Sequence, residues 1–391
     1  MATISRGIKA PIIREGDDIV SIVCDCVLSA SKEQGFTLRD RDVVAVTEAV
    51  VARAAGNYAT VDAIAEDVRR KLGGNTIGLV FPILSRNRFA ICLRGIARGA
   101  RKVVVQLGYP SDEVGNHLVD IDALDDSGID PYKDVLSVAE FRRHFGTPLH
   151  PFTGVDYISY YTQLIEEEGA EAEIILANRP EAILSYSDKV LCCDTHTRFR
   201  TQRRILAAGA DVCLTLCDIL NAPVNGSGYN EKYGLLGSNK ATEDVVKLFP
   251  NNAQEVAEAI SARLCAATGK RIEAMVYGDG AFKDPVGKIW ELADPVVSPG
   301  FTDGLNGLPN ELKLKYLADN DFADLKGEEL RSAIENAIRK KDADLKGSMA
   351  TQGTTPRRLT DLLGSLCDLT SGSGDKGTPI VYIQGYFDNY T

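Results

Sequence analysis

The sequence predicts an α+β protein of two domains, and three observations carry that prediction. Short β-branched and apolar runs bounded by turn residues recur along the chain, segments with helical spacing of apolar residues separate them, and 391 residues exceed the roughly 150 that one domain usually holds. A division near 190 is expected, into an N-terminal α/β region over 1–190 with an inserted segment and a C-terminal α/β region over 191–391. Hydrophobic residues at 44% and charged residues at 25% are ordinary globular usage and argue against disorder or a fibrous chain.

The first strand predicted is DVVAV, 42–46, after the turn-like RDRD. AICLRG (90–95) and KVVVQLG (102–108) read as strands, as do KVLCC (189–193), EAMVY (273–277) and the closing PIVYIQGYF (379–387). Val212, Leu216, Ile219 and Leu220 share a helical face, and so do Leu330, Ile334 and Ile338. A further helix has Thr355 to cap it, Pro356 in its first turn, Leu359, Leu362, Leu363 and Leu366 along one side, and Gly372 to end it. Residues 110–160, rich in Asp, Pro and Gly, read as an irregular insertion or domain connection.

The balance of 44 basic and 55 acidic residues gives −11, which works against a broad nucleic-acid or anionic-lipid surface. An anionic ligand therefore needs a local basic pocket. No stretch near the N-terminus has the apolar length of a signal peptide and no run approaches a membrane span, so a cytoplasmic protein without nucleic-acid or membrane partners is expected. Nine cysteines without a repeated short spacing do not form a disulfide framework, and Cys192, Cys193, Cys213 and Cys217 read as buried free thiols.

The stretch VYGDGAFKDPVG holds most of the chemistry. Asp279 follows a strand and has glycines on both sides, which allow a phosphate or hydrated metal to approach closely. Lys283 and Asp284 come next, and a carboxylate, a cation and a second carboxylate suit Mg²⁺ or Mn²⁺ bridged to phosphate. A polar turn is the competing reading. GSGDKG, 372–377, has the letters of G-x-G-x-x-G but lies between a helix and a strand, the reverse of the dinucleotide order, so neither a Rossmann site nor a P-loop is expected. That turn either holds phosphate on its amides or merely connects. In THTRFRTQRR, Arg200 and Arg204 share a helical face that suits an anionic substrate or is simply solvated. His196 beside Asp194 has no nucleophile assigned by spacing.

Taken in order, PIIREGDD (11–18), DVVAVTEAVVARAAGN (42–57), GLLGSN (234–239), VYGDGAFKDPVG and RLTDLLGSLCDLTSGSGDKGTPIVYIQG resemble the γ-glutamyl ligase of the deazaflavin coenzyme F-420. The resemblance implies a two-domain mixed α/β ligase fold and a homodimer. It also implies GTP as co-substrate, with Mg²⁺ or Mn²⁺, L-glutamate, and a carboxylate acceptor that is phosphorylated before the amine of glutamate displaces phosphate. It implies a catalytic and metal role for Asp279, with Lys283 and Asp284 beside it. Nucleotide contacts are implied at Pro11, Ile12, Ile13, Glu48, Ala49, Arg53, Asn239, Ser371, Gly372, Ser373 and Gly374. Leu236 and Gly280 depart from the family pattern at metal-site positions, so Asp284 or Glu48 would have to supply another acid. Other readings are a folate or other cofactor as acceptor, or a nucleotide-binding regulatory protein on the same fold.

Overall fold

The structure is a computed structural model and describes residues 2–280, 293–307, 312–340, 345, 348–351, 357–371 and 377–387. In chain order its strands are β1 (Ile4–Ile8), β2 (Val43–Thr47), β3 (Tyr58–Thr60), β4 (Thr76–Val80) and β5 (Lys102–Leu107). They continue with β6 (Leu136–Ser137), β7 (Glu171–Leu176), β8 (Lys189–Cys192), β9 (Val212–Thr215) and β10 (Asn239–Lys240). The last are β11 (Val245–Lys247), β12 (Glu273–Tyr277), β13 (Gly300–Phe301) and β14 (Ile380–Gln384).

Three sheets result. The first has the order β1-β14-β2-β12-β13, with β2 and β12 parallel and β14 antiparallel to both β1 and β2. All residues of β12 and β14 are buried because helices cover both faces. Val44, Val46, Ala274 and Val276 pack with the helices Ile19–Gln34 and Ala253–Thr268, while Val43, Ala45, Met275 and Tyr277 pack with Leu363 and Cys367 of the helix Leu359–Ser371. The second sheet, β6-β7-β5-β4-β8-β9, is parallel except for β6. The third, β10-β11-β3, is small and antiparallel.

The expected boundary at 190/191 falls inside β8. The first sheet draws its strands from 4–47 and 273–384, so the six-stranded unit is inserted within it. Composition does not change at either junction, because both units are built from the same buried apolar runs. The mixed α/β class itself is as expected.

Two element assignments also change. AICLRG lies in the helix Phe89–Arg98, buried on nearly every side except where Arg94 and Arg98 meet Glu168. A short continuous apolar run reads alike for a buried strand and a buried helix. Val212 belongs to β9 and Leu216 opens a 3₁₀ turn, so their shared spacing is not one helix. Thr355, Pro356 and Gly372 lie outside the described residues, but the helix between them, Leu359–Ser371, is present.

The parallel strands run β7-β5-β4-β8-β9, so the chain winds outward to one side of β4 and then to the other. In such sheets a crevice opens at the carboxyl ends where the direction switches, here β4 and β8. The segment leaving β4, FPILSRNRF, lacks the glycine fingerprint and instead brings Arg88 to the start of the Phe89–Arg98 helix. Among the described residues no helix is long and apolar enough to cross a membrane.

The position of Arg88 depends on how closely that helix packs on the helix Val61–Leu72. A Cβ added at Gly95 would lie 2.6 Å from Ile64 Cβ. Gly95→Ala is therefore expected to lower stability by about 1–3 kcal/mol in urea unfolding. An unchanged midpoint would contradict the close helix contact.

Candidate active site

β2 and β12 run parallel with Thr47 opposite Tyr277, so the residues that follow each strand emerge side by side. After β2 comes Glu48, the first residue of the helix Glu48–Ala54; after β12 come Gly278, Asp279 and Gly280. Arg88 Nη2 donates to Asp279 Oδ2 at 2.7 Å, and Arg88 Nη1 donates to Asp294 Oδ1 at 2.6 Å. The other oxygen of Asp294 accepts the backbone N–H of Asp279 at 2.8 Å, which closes the group into a ring.

The glycines beside Asp279 provide space. A Cβ on Gly278 would sit 2.2 Å from Asp294 Oδ2, and one on Gly280 would sit 2.9 Å from Ser365 Cα. The Gly280 N–H donates to Asp368 Oδ2 at 2.9 Å. Two carboxylates thus reach the backbone on either side of Asp279, where any larger residue would push them away.

The charges here are largely withdrawn from water. Side-chain exposure is 15% for Arg88, 27% for Asp279 and 1% for Asp294. Burial works against the charged form of Arg88, but Asp294 and Asp279 outweigh it and hold the guanidinium protonated well above its ordinary value. Glu48 is buried and paired with Lys247 Nζ through both oxygens, at 2.7 and 2.8 Å. Burial pushes its carboxyl up against the pull of Lys247, and the charge of Asp294 adds to the rise. Burial also raises Asp368, against the Gly280 N–H.

These groups line a cavity of about 560 Å³. Of the residues singled out in the sequence, Pro11, Ile12, Ile13, Glu48, Ala49, Arg53, Asn239, Asp279 and Ser371 all border it. Arg200 and Arg204 do not. Arg204 forms a two-point pair with Glu181, with Nε to Oε1 at 2.6 Å and Nη2 to Oε2 at 2.9 Å, and Arg200 is exposed on the helix Arg198–Ala207. They lie away from this cleft because the inserted sheet carries their helix elsewhere. Lys283, Asp284, Gly372, Ser373 and Gly374 lie outside the described residues. Asp194 is buried and accepts the hydroxyls of Thr197 and Thr201 at 2.7 Å each.

Arg88, Asp294 and Asp368 also border the cavity, and the sequence reading missed them. Arg88 sits between polar turn residues and an apolar run, and Asp294 lies in ELADP, so neither has a local signature. The one available signal was the strand-to-helix turn after β4, had the doubly wound order been recognised.

The cleft sets the cations Arg53 and Arg88 beside the acidic side chains Glu48, Asp279, Asp294 and Asp368. Residues 7–385 match the family model described as F420-0:gamma-glutamyl ligase. The chain belongs to the F420-0:gamma-glutamyl ligase family. No curated protein matches it closely enough to add a named relative. The family is one of ligases of F420 biosynthesis that add glutamate to F420-0.

The structure accounts physically for the two positions at which this ligase departs from the family pattern. Leu236 is buried and lines a small hollow with Arg88, and Gly280 has no room for a side chain. The donors near Asp279 are all oxygen, which suits Mg²⁺ or Mn²⁺, and Asp279 and Asp294 are the side chains that would hold such an ion. Glu48 is committed to Lys247, and among the described residues no three His, Cys, Asp or Glu side chains converge on one point. The cation that the two aspartates share here is Arg88.

Because Gly278 leaves room for Asp294, Gly278→Ala should force the Asp294 carboxylate from the Asp279 N–H and lower stability by about 1–3 kcal/mol. Thermal unfolding measures this, and an unchanged melting temperature would show that Asp294 can move without cost.

Proposed function

We propose that the protein is a GTP-dependent γ-glutamyl ligase that joins L-glutamate to the carboxylate of F420-0 or a similar deazaflavin acceptor through an acyl phosphate. The observation that supports this most is convergence: segments at 11–13, 48–53, 239, 279 and 371, far apart in sequence, border one cavity. Cytoplasmic location and a homodimer belong to the same proposal.

In the first step an oxygen of the acceptor carboxylate attacks the γ-phosphorus and the bond to the β-phosphate oxygen breaks, which releases GDP. In the second the glutamate amine attacks the acyl carbon, phosphate leaves with the C–O bonding pair, and the nitrogen loses a proton as the amide forms. Charge gathers on the transferring phosphoryl group, so a site for this reaction needs fixed positive groups and little water. Arg88 and Arg53 border the cleft and are suited to meet the phosphates. Asp279 and Asp294 hold Arg88 in place, and the Glu48–Lys247 pair fixes the helix that bears Arg53. A divalent ion bound with the triphosphate would offset phosphate charge, with Asp279 and Asp294 as its protein oxygens.

The test is phosphate release from GTP in the presence of L-glutamate and F420-0, with mass spectrometry of the acceptor. Release that depends on both compounds, with an acceptor heavier by one glutamyl residue, is expected. Release that ignores either compound would contradict the ligase reading. In the same assay Asp279→Asn should lower turnover by on the order of 10² or more in a protein that is less stable but still folded, since Asp294 continues to pair with Arg88. A nearly wild-type rate would remove Asp279 from the chemistry.

A further inference from the structure

The turn that brings Arg88 to the cleft also borders a second cavity, of about 530 Å³, with Ser85, Arg86 and Asn87 on its wall. Two cations line it, Arg86 and Lys240, and among the described residues no carboxylate does. In a chain of net charge −11, a concave surface of that kind is not what composition alone would produce. Lys240 meets the exposed Glu243, but among the described residues no carboxylate pairs with Arg86.

The remaining wall is aromatic and fixed. Asp112 accepts the N–H of Leu84 at 2.8 Å and both the backbone N–H and the side-chain amide of Asn116, at 2.8 and 2.7 Å. Asn116 Oδ1 is left to meet His150 Nε2 at 2.9 Å, while His150 Nδ1 accepts the N–H groups of Phe152 and Thr153. Those bonds require the Nε2–H tautomer. Burial lowers the pKa of His150, with Arg86 and His117 adding to the effect, which favours the neutral ring that these bonds require. Tyr157 stands edge-on to His150 at 5.6 Å and to Tyr160 at 6.1 Å between ring centroids. His150 and Tyr157 are buried behind the partly exposed Tyr160, which is the held ring that a flat ligand meets.

This cavity lies next to the cleft, as two contacts show. The backbone N–H of Lys240 donates to the Asn87 carbonyl at 2.6 Å, which ties the two walls where Asn239 and Arg88 turn into the cleft. A third cavity, of about 550 Å³, shares Lys240 with this one and Arg53 with the cleft.

We propose that the cavity bordered by Arg86, His150, Tyr157, Tyr160 and Lys240 is the acceptor subsite, taking an anionic small molecule with a flat conjugated ring and presenting its carboxylate to the cleft beside Arg88. The assignment rests on the ligase reading above. Arg86 and Lys240 attract the acceptor's negative groups, and Tyr160, held from behind by Tyr157, packs against its ring.

Arg86 is exposed and its replacement leaves the fold intact, so steady-state kinetics with F420-0, GTP and L-glutamate test the assignment directly. Arg86→Glu should raise KM for F420-0 by about tenfold or more, the effect of losing a charged hydrogen bond, and leave KM for GTP unchanged. Arg86→Lys should recover most of the loss. An Arg86→Glu enzyme with wild-type KM for F420-0 would overturn the subsite while the ligase reading stands. An unaltered enzyme that turns over GTP and glutamate only with a different acceptor, or not at all, would overturn the reading and the subsite with it.

Discussion

The bridge of Arg88 between Asp279 and Asp294 is the interaction on which the site depends. Arg88 comes from the inserted six-stranded unit, and the two aspartates come from the unit built by the chain ends. Removing one member of such a buried set leaves the others as uncompensated charge, at a cost of about 3–5 kcal/mol. The bridge therefore fixes the inserted unit against the first sheet and also decides what charge faces the cleft. Glu48 and Lys247 make a second link of the same kind, from the end of β2 to the small sheet.

The surrounding backbone is shaped to permit this. Gly278 lets Asp294 touch the Asp279 amide, and Gly280 lets the helix Leu359–Ser371 approach with Asp368. Neither glycine is needed for a left-handed backbone. They are small because carboxylates and a helix pass where a Cβ would lie. Arg88 supplies a positive charge fixed by the fold, whereas an ion supplies one that arrives and leaves. A site that holds its own cation is preorganised for an anion, and a metal ion bound there would compete with the guanidinium for the same oxygens.

Much of the first sheet was legible because its strands are short, continuous apolar runs closed by turn residues; EAMVY is β12 to the residue, and PIVYIQGYF contains β14. The same property concealed the helix Phe89–Arg98, since Arg94 and Arg98 alone interrupt an otherwise apolar, buried run. The nesting of one unit inside the other was not legible at all, because strand pairing across more than 200 residues leaves no local mark. Pro11, Glu48, Arg53, Asn239 and Asp279, which the resemblance singled out, border one cleft. It could not supply Arg88 or Asp294, whose meaning comes only from contact across the two units. The arginines at 200 and 204 show the opposite case, in which a charged helical face that suits an anion is satisfied by Glu181 and solvent.

The measurement that bears most directly on this account is a double-mutant cycle between Arg88→Gln and Asp279→Asn, read as kcat/KM for GTP in the complete reaction. If the guanidinium and the carboxylate act as one unit, the two losses overlap, and a coupling energy of about 1.5 kcal/mol or more is predicted. Losses that add to within about 0.5 kcal/mol would mean that Arg88 and Asp279 act independently, and would contradict the bridge as the centre of the site.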